Sequence, residues 1–171
     1  MEPTLRRATA ADAEELVRLR ALMFASHARA GEVAVEDPGW RKACVADLAR
    51  LDTEPDRIAA YVVGAPEPGG PLVACAVGWM VAKLPSPTDP GTRRGHIGSV
   101  VTMDDHRRRG YARQCFAALM DWFAAQRVPA IDLHATSMSE SLYREFGFRD
   151  ANSPAMRYFA DESTRPPWER V

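Results

Sequence analysis

The stretch "HIGSVVTMDDHRRRGYARQCFAALMDWF", His96 to Phe123, changes its apolar period part-way along. His96 to Met103 reads as a strand. Beyond Gly110, residues Ala112, Phe116, Leu119, Met120 and Phe123 recur at helical spacing, marking the inner face of a helix that runs to about Gln126 before Val128-Pro129 closes it. "HRRRGYARQ" (His106 to Gln114) is therefore a strand-to-helix turn whose backbone N–H groups cap a helix N-terminus. Those groups lack internal acceptors and the macrodipole adds partial positive charge, so main chain alone can bind a pyrophosphate there. Gly110 permits close backbone approach or an unusual φ, and Ala112 keeps the helix start narrow. Neither GxxxxGK[ST] nor a helix-opening GxGxxG occurs, which leaves P-loop and Rossmann-type phosphate sites without support. On spacing alone, a phosphate site and an ordinary turn with solvated arginines both remain open.

Upstream, "TLRRAT" (Thr4 to Thr9) reads as a first strand, and Thr9 with Asp12 three residues later as a helix N-cap signature. Leu16, Leu19, Leu22 and Met23 then form one apolar stripe of a helix. In "EDPGWRKACVADLARLD" Pro38 suits a first helical turn, with Trp40, Cys44, Val45 and Leu48 on the buried side. "RIAAYVVGA" and "PLVACAVGWMVAKL" are strands joined by the turn "PEPGG". Downstream, "AIDLHAT" is a strand, Ser137 to Phe146 a short helix ended by Gly147, and "AMRYFA" a last strand. Residues 160–171 form a charged, proline-containing tail expected to be loosely held. Strands and helices alternate, which predicts an α/β or α+β sheet with helices on its faces.

The chain of 171 residues suits one domain, and its 46% hydrophobic and 26% charged residues are those of an ordinary globular protein. A net charge of -1, with Asp104 and Asp105 directly before the arginines, argues against nucleic acid as a partner. No apolar run reaches the roughly eighteen residues of a membrane span, and the N-terminal residues lack a signal-peptide core, so a cytoplasmic protein without membrane partners is expected. Cys44, Cys75 and Cys115 are scattered, and His27, His96, His106 and His134 show no metal-binding spacing, so neither a disulfide framework nor a metal is predicted.

"VVTMDDHRRRGYARQCFAALMDWF" resembles the acetyl-CoA-binding motif of the GNAT N-acetyltransferase superfamily, Arg/Gln-x-x-Gly-x-Gly/Ala between a strand and a helix, through Arg107, Gly110 and Ala112. "AIDLHATSMSESLYREFGFRD" is similar to the superfamily's fifth strand and following helix, ending in Leu142, Tyr143, Gly147 and Phe148. The specific match covers about Ser99 to Asp150. The resemblance implies a mixed, mostly antiparallel central sheet flanked by helices and splayed between its fourth and fifth strands. It implies that the main chain of the turn (Arg107, Arg108, Arg109, Gly110, Tyr111, Ala112, Arg113) cradles the pyrophosphate of acetyl-CoA. Val100, Val101 and Thr102 would offer backbone to the pantetheine arm. Ser137 stands where many relatives carry an asparagine, and its hydroxyl is a shorter hydrogen-bonding group.

The activity implied is direct acetyl transfer from acetyl-CoA to an amine. A backbone N–H near Val101 would polarise the thioester carbonyl. Tyr143 aligns with the tyrosine placed near the sulfur, as acid or hydrogen-bond donor, although its helical spacing with Leu142 and Phe146 also suits a core aromatic. His134, at the end of the fifth strand, is the candidate base, and a structural histidine is the alternative. Asp132 would share its face and orient it or attract a cation. His96 and Ser99 are weaker candidates for the base, and Asp37, Trp40 and Ser99, with Asp132 and His134, are candidates for the acceptor side. Cys115 is not expected to act as a nucleophile. A CoA-binding module without catalysis is the alternative function, the acceptor amine is unspecified, and a homodimer is compatible with the sequence.

Overall fold

The sheet has the order β1-β2-β3-β4-β5, with β1 at Thr4–Arg7, β2 at Ile58–Gly64, β3 at Leu72–Ala82, β4 at Arg93–Thr102 and β5 at Ile131–Leu133. The first four strands pair antiparallel, and β5 lies parallel to β4. The computed structural model describes residues 3–27, 37–151 and 155–161. Both faces of β2 and β3 are buried, as their near-continuous apolar runs require. Helices α1 (Ala13–His27), α2 (Pro38–Leu48) and α3 (Arg50–Thr53) cover one face. Helices α4 (Tyr111–Ala125) and α5 (Glu140–Glu145) cover the other.

Each helix buries the side its sequence marks. In α4, Cys115, Phe116, Leu119, Trp122 and Phe123 are buried. In α1 the buried set is Ala13, Leu16, Val17, Leu19 and Ala21, whereas Leu22, expected on the stripe, is 44% exposed. The buried stripe is thus shifted toward Val17 and Ala21. Asp37 caps α2 by accepting from the Gly39 N–H.

Two other expectations need correction. "AMRYFA" forms no strand: residues 155–161 carry no strand pairing and are exposed except for the half-buried Phe159. The helix expected from Ser137 begins at Glu140, because Thr136 and Ser139 close a turn on each other first. Of the expected tail, all but Ala160 and Asp161 lies outside the described residues.

Asp12 is the buried polar anchor of the β1–α1 corner. Its carboxylate takes a bidentate pair from Arg6 at 2.8 and 2.7 Å and accepts the N–H groups of Thr9 and Gly69. Burial by itself raises the carboxyl pKa, but the bonds from Arg6, Thr9 and Gly69 outweigh it and hold Asp12 below the usual carboxylate value. Its stabilising contribution is thus complete above the unfolded pKa near 3.9 and is lost as pH falls through the lower folded value. Asp12→Asn should lower the unfolding free energy at pH 7 by about 3 kcal/mol or more, the cost of breaking a buried pair, and should flatten the loss of stability below about pH 4. Urea unfolding across pH checks both effects; an unchanged acid limb would show that other carboxylates govern it.

Candidate active site

The β4–β5 ladder is short. Gly95 pairs with Ile131, His96 with Asp132 and Ile97 with Leu133, and there it ends while β4 continues to Thr102. At that point β4 carries a bulge: Ile97 faces Gly78 and Ser99 faces Val77, so Gly98 is an extra residue. The Trp79 ring fills the space beside Gly98, where any Cβ would fall 2.2 Å from it. The bulge bends β4, and β5 departs, opening a V between Gly98–Thr102 and the segment after Leu133.

Along the open edge the backbone alternates. Met103 donates to the Val73 carbonyl, so Val101 points its N–H and C=O toward β3, and Val100 and Thr102 turn theirs to the side that β5 vacates. An outward N–H donor near Val101 therefore belongs to Val100 or Thr102. The Thr102 hydroxyl is buried with no hydrogen-bond partner among the described residues.

At the top of β4 the chain makes a short 3-10 turn, Asp104–His106, before α4. Arg108 (φ 60) and Gly110 (φ 79) both adopt left-handed backbone, a conformation strained for arginine and open to glycine. The N–H groups of Arg108 to Arg113 find no acceptor among the described residues. They converge at the start of a helix of fifteen residues. Side chains frame this cradle: Arg107 pairs with Asp104 at 2.7 Å, Arg113 with Glu145 of α5, and Arg108 and Arg109 are exposed without an ion pair among the described residues. Tyr111 and Ala112 are half-buried at the helix start. The unspent N–H groups of Val100, Thr102 and Arg108 to Arg113, with the orphaned Thr102 hydroxyl, fit a phosphate-bearing chain lying along the V.

Tyr143 is only 7% exposed and packs on Phe116 and Phe148, with centroids 5.2 and 6.1 Å away. Burial pushes its phenol above the usual value, outweighing the bond to Ser139, so it is protonated at neutral pH and can donate. Ser137 is exposed in the turn before α5. Cys115 is fully buried beside this core and its thiol is driven up, an inert position for a nucleophile.

The opposite wall lies on the α1–α2 side. Trp79 packs on His96 at 4.8 Å, and the His96 ring stands 6.2 Å from that of His134. Burial, then the neighbouring His134, lowers the His96 pKa, with Asp132 opposing. His134 lies beyond the end of β5, since pairing stops at Leu133. Asp132 does not hydrogen-bond it; its carboxylate takes Arg94 at 3.2 Å. Ser99 is buried, and its hydroxyl oxygen accepts from Arg20. Asp37 is occupied as the α2 cap, and Trp40 stands edge-on to Phe24 at 6.1 Å. A cleft of ≈ 410 Å³, lined by Val81, Lys83, Leu84, Arg94, His96 and Asp132 among others, opens from His96 outward. Arg20, Phe24 and Trp79 were not singled out from the sequence. The isolated Gly98 within a strand was the available signal of a bulge or close approach.

The sequence profile of the acetyltransferase (GNAT) family matches residues 20–148. A GCN5-related N-acetyltransferase from Ralstonia eutropha JMP134 superposes with a TM-score of 0.74 at 22% identity, covering 91% of this chain and 98% of that one. A predicted acetyltransferase from Clostridium acetobutylicum, solved with acetyl-CoA, gives 0.76 at 17% identity over 91% and 96%. Glucosamine-6-phosphate N-acetyltransferase from Arabidopsis thaliana gives 0.63 at 16% identity over 93% and 99%. None of the curated proteins matches the sequence. At these identities the solved structures establish likeness of fold.

If main chain holds the phosphates, Gly110→Pro should weaken CoA at least about tenfold, because proline removes an N–H and cannot adopt positive φ. Arg108→Ala, which removes one exposed charge, should cost less than about fivefold. Calorimetric titration with CoA checks this; equal large losses would mean that guanidinium charge dominates.

Proposed function

Because the chain belongs to the acetyltransferase (GNAT) family, we propose that it transfers the acetyl group of acetyl-CoA to a primary amine by direct attack in a ternary complex. The observation that carries this reading is the V left where β5 stops pairing at Ile97, with unspent N–H groups on one side and the His96–His134 pair beside it. The pyrophosphate lies against the N–H groups of Arg108 to Arg113, and the pantetheine arm runs along Val100 to Thr102. A backbone N–H of that edge polarises the thioester carbonyl as oxyanion charge develops. The neutral amine attacks the carbonyl carbon, the C–N bond forms and the C–S bond breaks. The amine gives a proton to His134, directly or through water, and the departing thiolate takes one from the Tyr143 phenol.

His134 is exposed and His96 half-buried, so His134 is the better placed to exchange a proton with solvent between turnovers. Incubation with acetyl-CoA and a chemically varied amine panel tests the proposal. Amine-dependent CoA release supports it, and CoA binding without such release would leave a CoA-binding module.

Tyr143→Phe removes the donor and keeps the ring that packs on Phe116. Its kcat and kcat/KM should fall together by about 10²–10⁴-fold with CoA affinity and Tm preserved. A kcat within about threefold of wild type, with chemistry rate-limiting, would return Tyr143 to a core role. His134→Ala should lose more turnover near pH 6 than above pH 8, where free amine is plentiful. An unchanged pH–rate profile would move the base to water or another group.

A further inference from the structure

Of the half-buried arginines, Arg6, Arg18, Arg50 and Arg94 each pair with a carboxylate, of Asp12, Glu15, Glu54 and Asp132 respectively. Arg20 pairs with none among the described residues. From α1 its Nη1 donates to the Gly98 carbonyl and the Ser99 hydroxyl, and its guanidinium carbon lies 4.9 Å from the Phe24 ring centroid. Two acceptors thus use up the Nη1 hydrogens and lock the plane of the group. The opposite edge, Nε and Nη2, meets no acceptor among the described residues. That edge is the fork that grips both oxygens of a carboxylate in parallel. Both nitrogens keep solvent access, so this edge is open to an incoming anion.

Its place in the fold gives this open edge a use. Gly98 and Ser99 are the first residues of β4 beyond its pairing with β5, so Arg20 grips the vertex of the V itself. Phe24 lies beneath the guanidinium and Trp79 packs against Gly98, which gives the vertex apolar walls on this side. One fork matches two oxygens, and Arg94, the other guanidinium on this face of β4, is already held by Asp132 and Asp89, which favours a carboxylate over a phosphate group.

We propose that Arg20 determines acceptor specificity, selecting an amine that carries a carboxylate a few bonds from its nitrogen and an apolar or aromatic body. The proposal rests on the acetyl-transfer reading for where the amine stands. The carboxylate docks on Nε and Nη2, and the amine projects from it into the V.

The test uses probes without an amine, so it does not depend on turnover. CoA-saturated wild-type protein is titrated calorimetrically with 3-phenylpropionate and with its neutral counterpart 3-phenylpropionamide. The carboxylate should bind at least about tenfold more tightly, the factor set by one charge-assisted hydrogen bond. Arg20→Gln should bring the two within about twofold, and Arg20→Lys, which keeps charge without the fork, should fall between. Equal wild-type affinities, preference for the amide, or binding of neither overturns the inference, and this comparison stands even if the variants unfold. Selective carboxylate binding by a protein that acetylates no amine would uphold the anion site and remove the acetyl-transfer reading. Acetylation of neutral amines without carboxylate preference would do the reverse.

Discussion

One extra residue in one strand organises this molecule. Gly98 has no partner on β3, and the Trp79 ring occupies the volume that a side chain would need. The bulge turns β4 away from β5 immediately after Ile97, so a parallel pairing that could have run the length of the strand stops at three residues. A continuous ladder would have consumed the backbone donors of Val100 and Thr102. The departure of β5 leaves them facing a space, and everything described as a site borders that space.

The two walls of the V differ in chemistry because they belong to opposite faces of the sheet. Toward α4, the cradle offers backbone N–H groups and exposed arginines, and a buried aromatic set holds the Tyr143 phenol. Toward α1 and α2, indole, imidazole and guanidinium groups stack beside β4. A phosphate-bearing donor and an amine acceptor approaching from different faces would meet only at the vertex. The left-handed Arg108, strained for a residue with a side chain, fits a turn shaped to aim amides at a ligand and not merely to reverse the chain.

Much of this was legible in the sequence because it is local. The change of period at Gly110 located β4 and α4, and the glycine itself marked the positive φ that the turn requires. Gly147 pointed to the end of α5, where it takes the positive φ that favours glycine. What failed depended on partners distant in sequence. Leu22 lies off the buried side, which is decided by how α1 packs on the sheet and not by the spacing of its leucines. "AMRYFA" has strand-like composition but is mostly exposed. Arg20 reaches residues 98 and 99, a contact that no periodicity encodes. Ser99 accepts a hydrogen bond from Arg20, a contact between distant residues of the same kind.

Hydrogen exchange measured residue by residue, with and without acetyl-CoA, addresses the central claim that the edge opened by the bulge is where the donor lies. The amides of Val100, Thr102 and Arg108 to Arg113 should exchange freely in the unliganded protein, having no acceptor of their own, and become protected on adding acetyl-CoA, while Val101, already directed at β3, should change little. Protection confined to other segments, or equal protection of Val101 and its neighbours, would contradict the account.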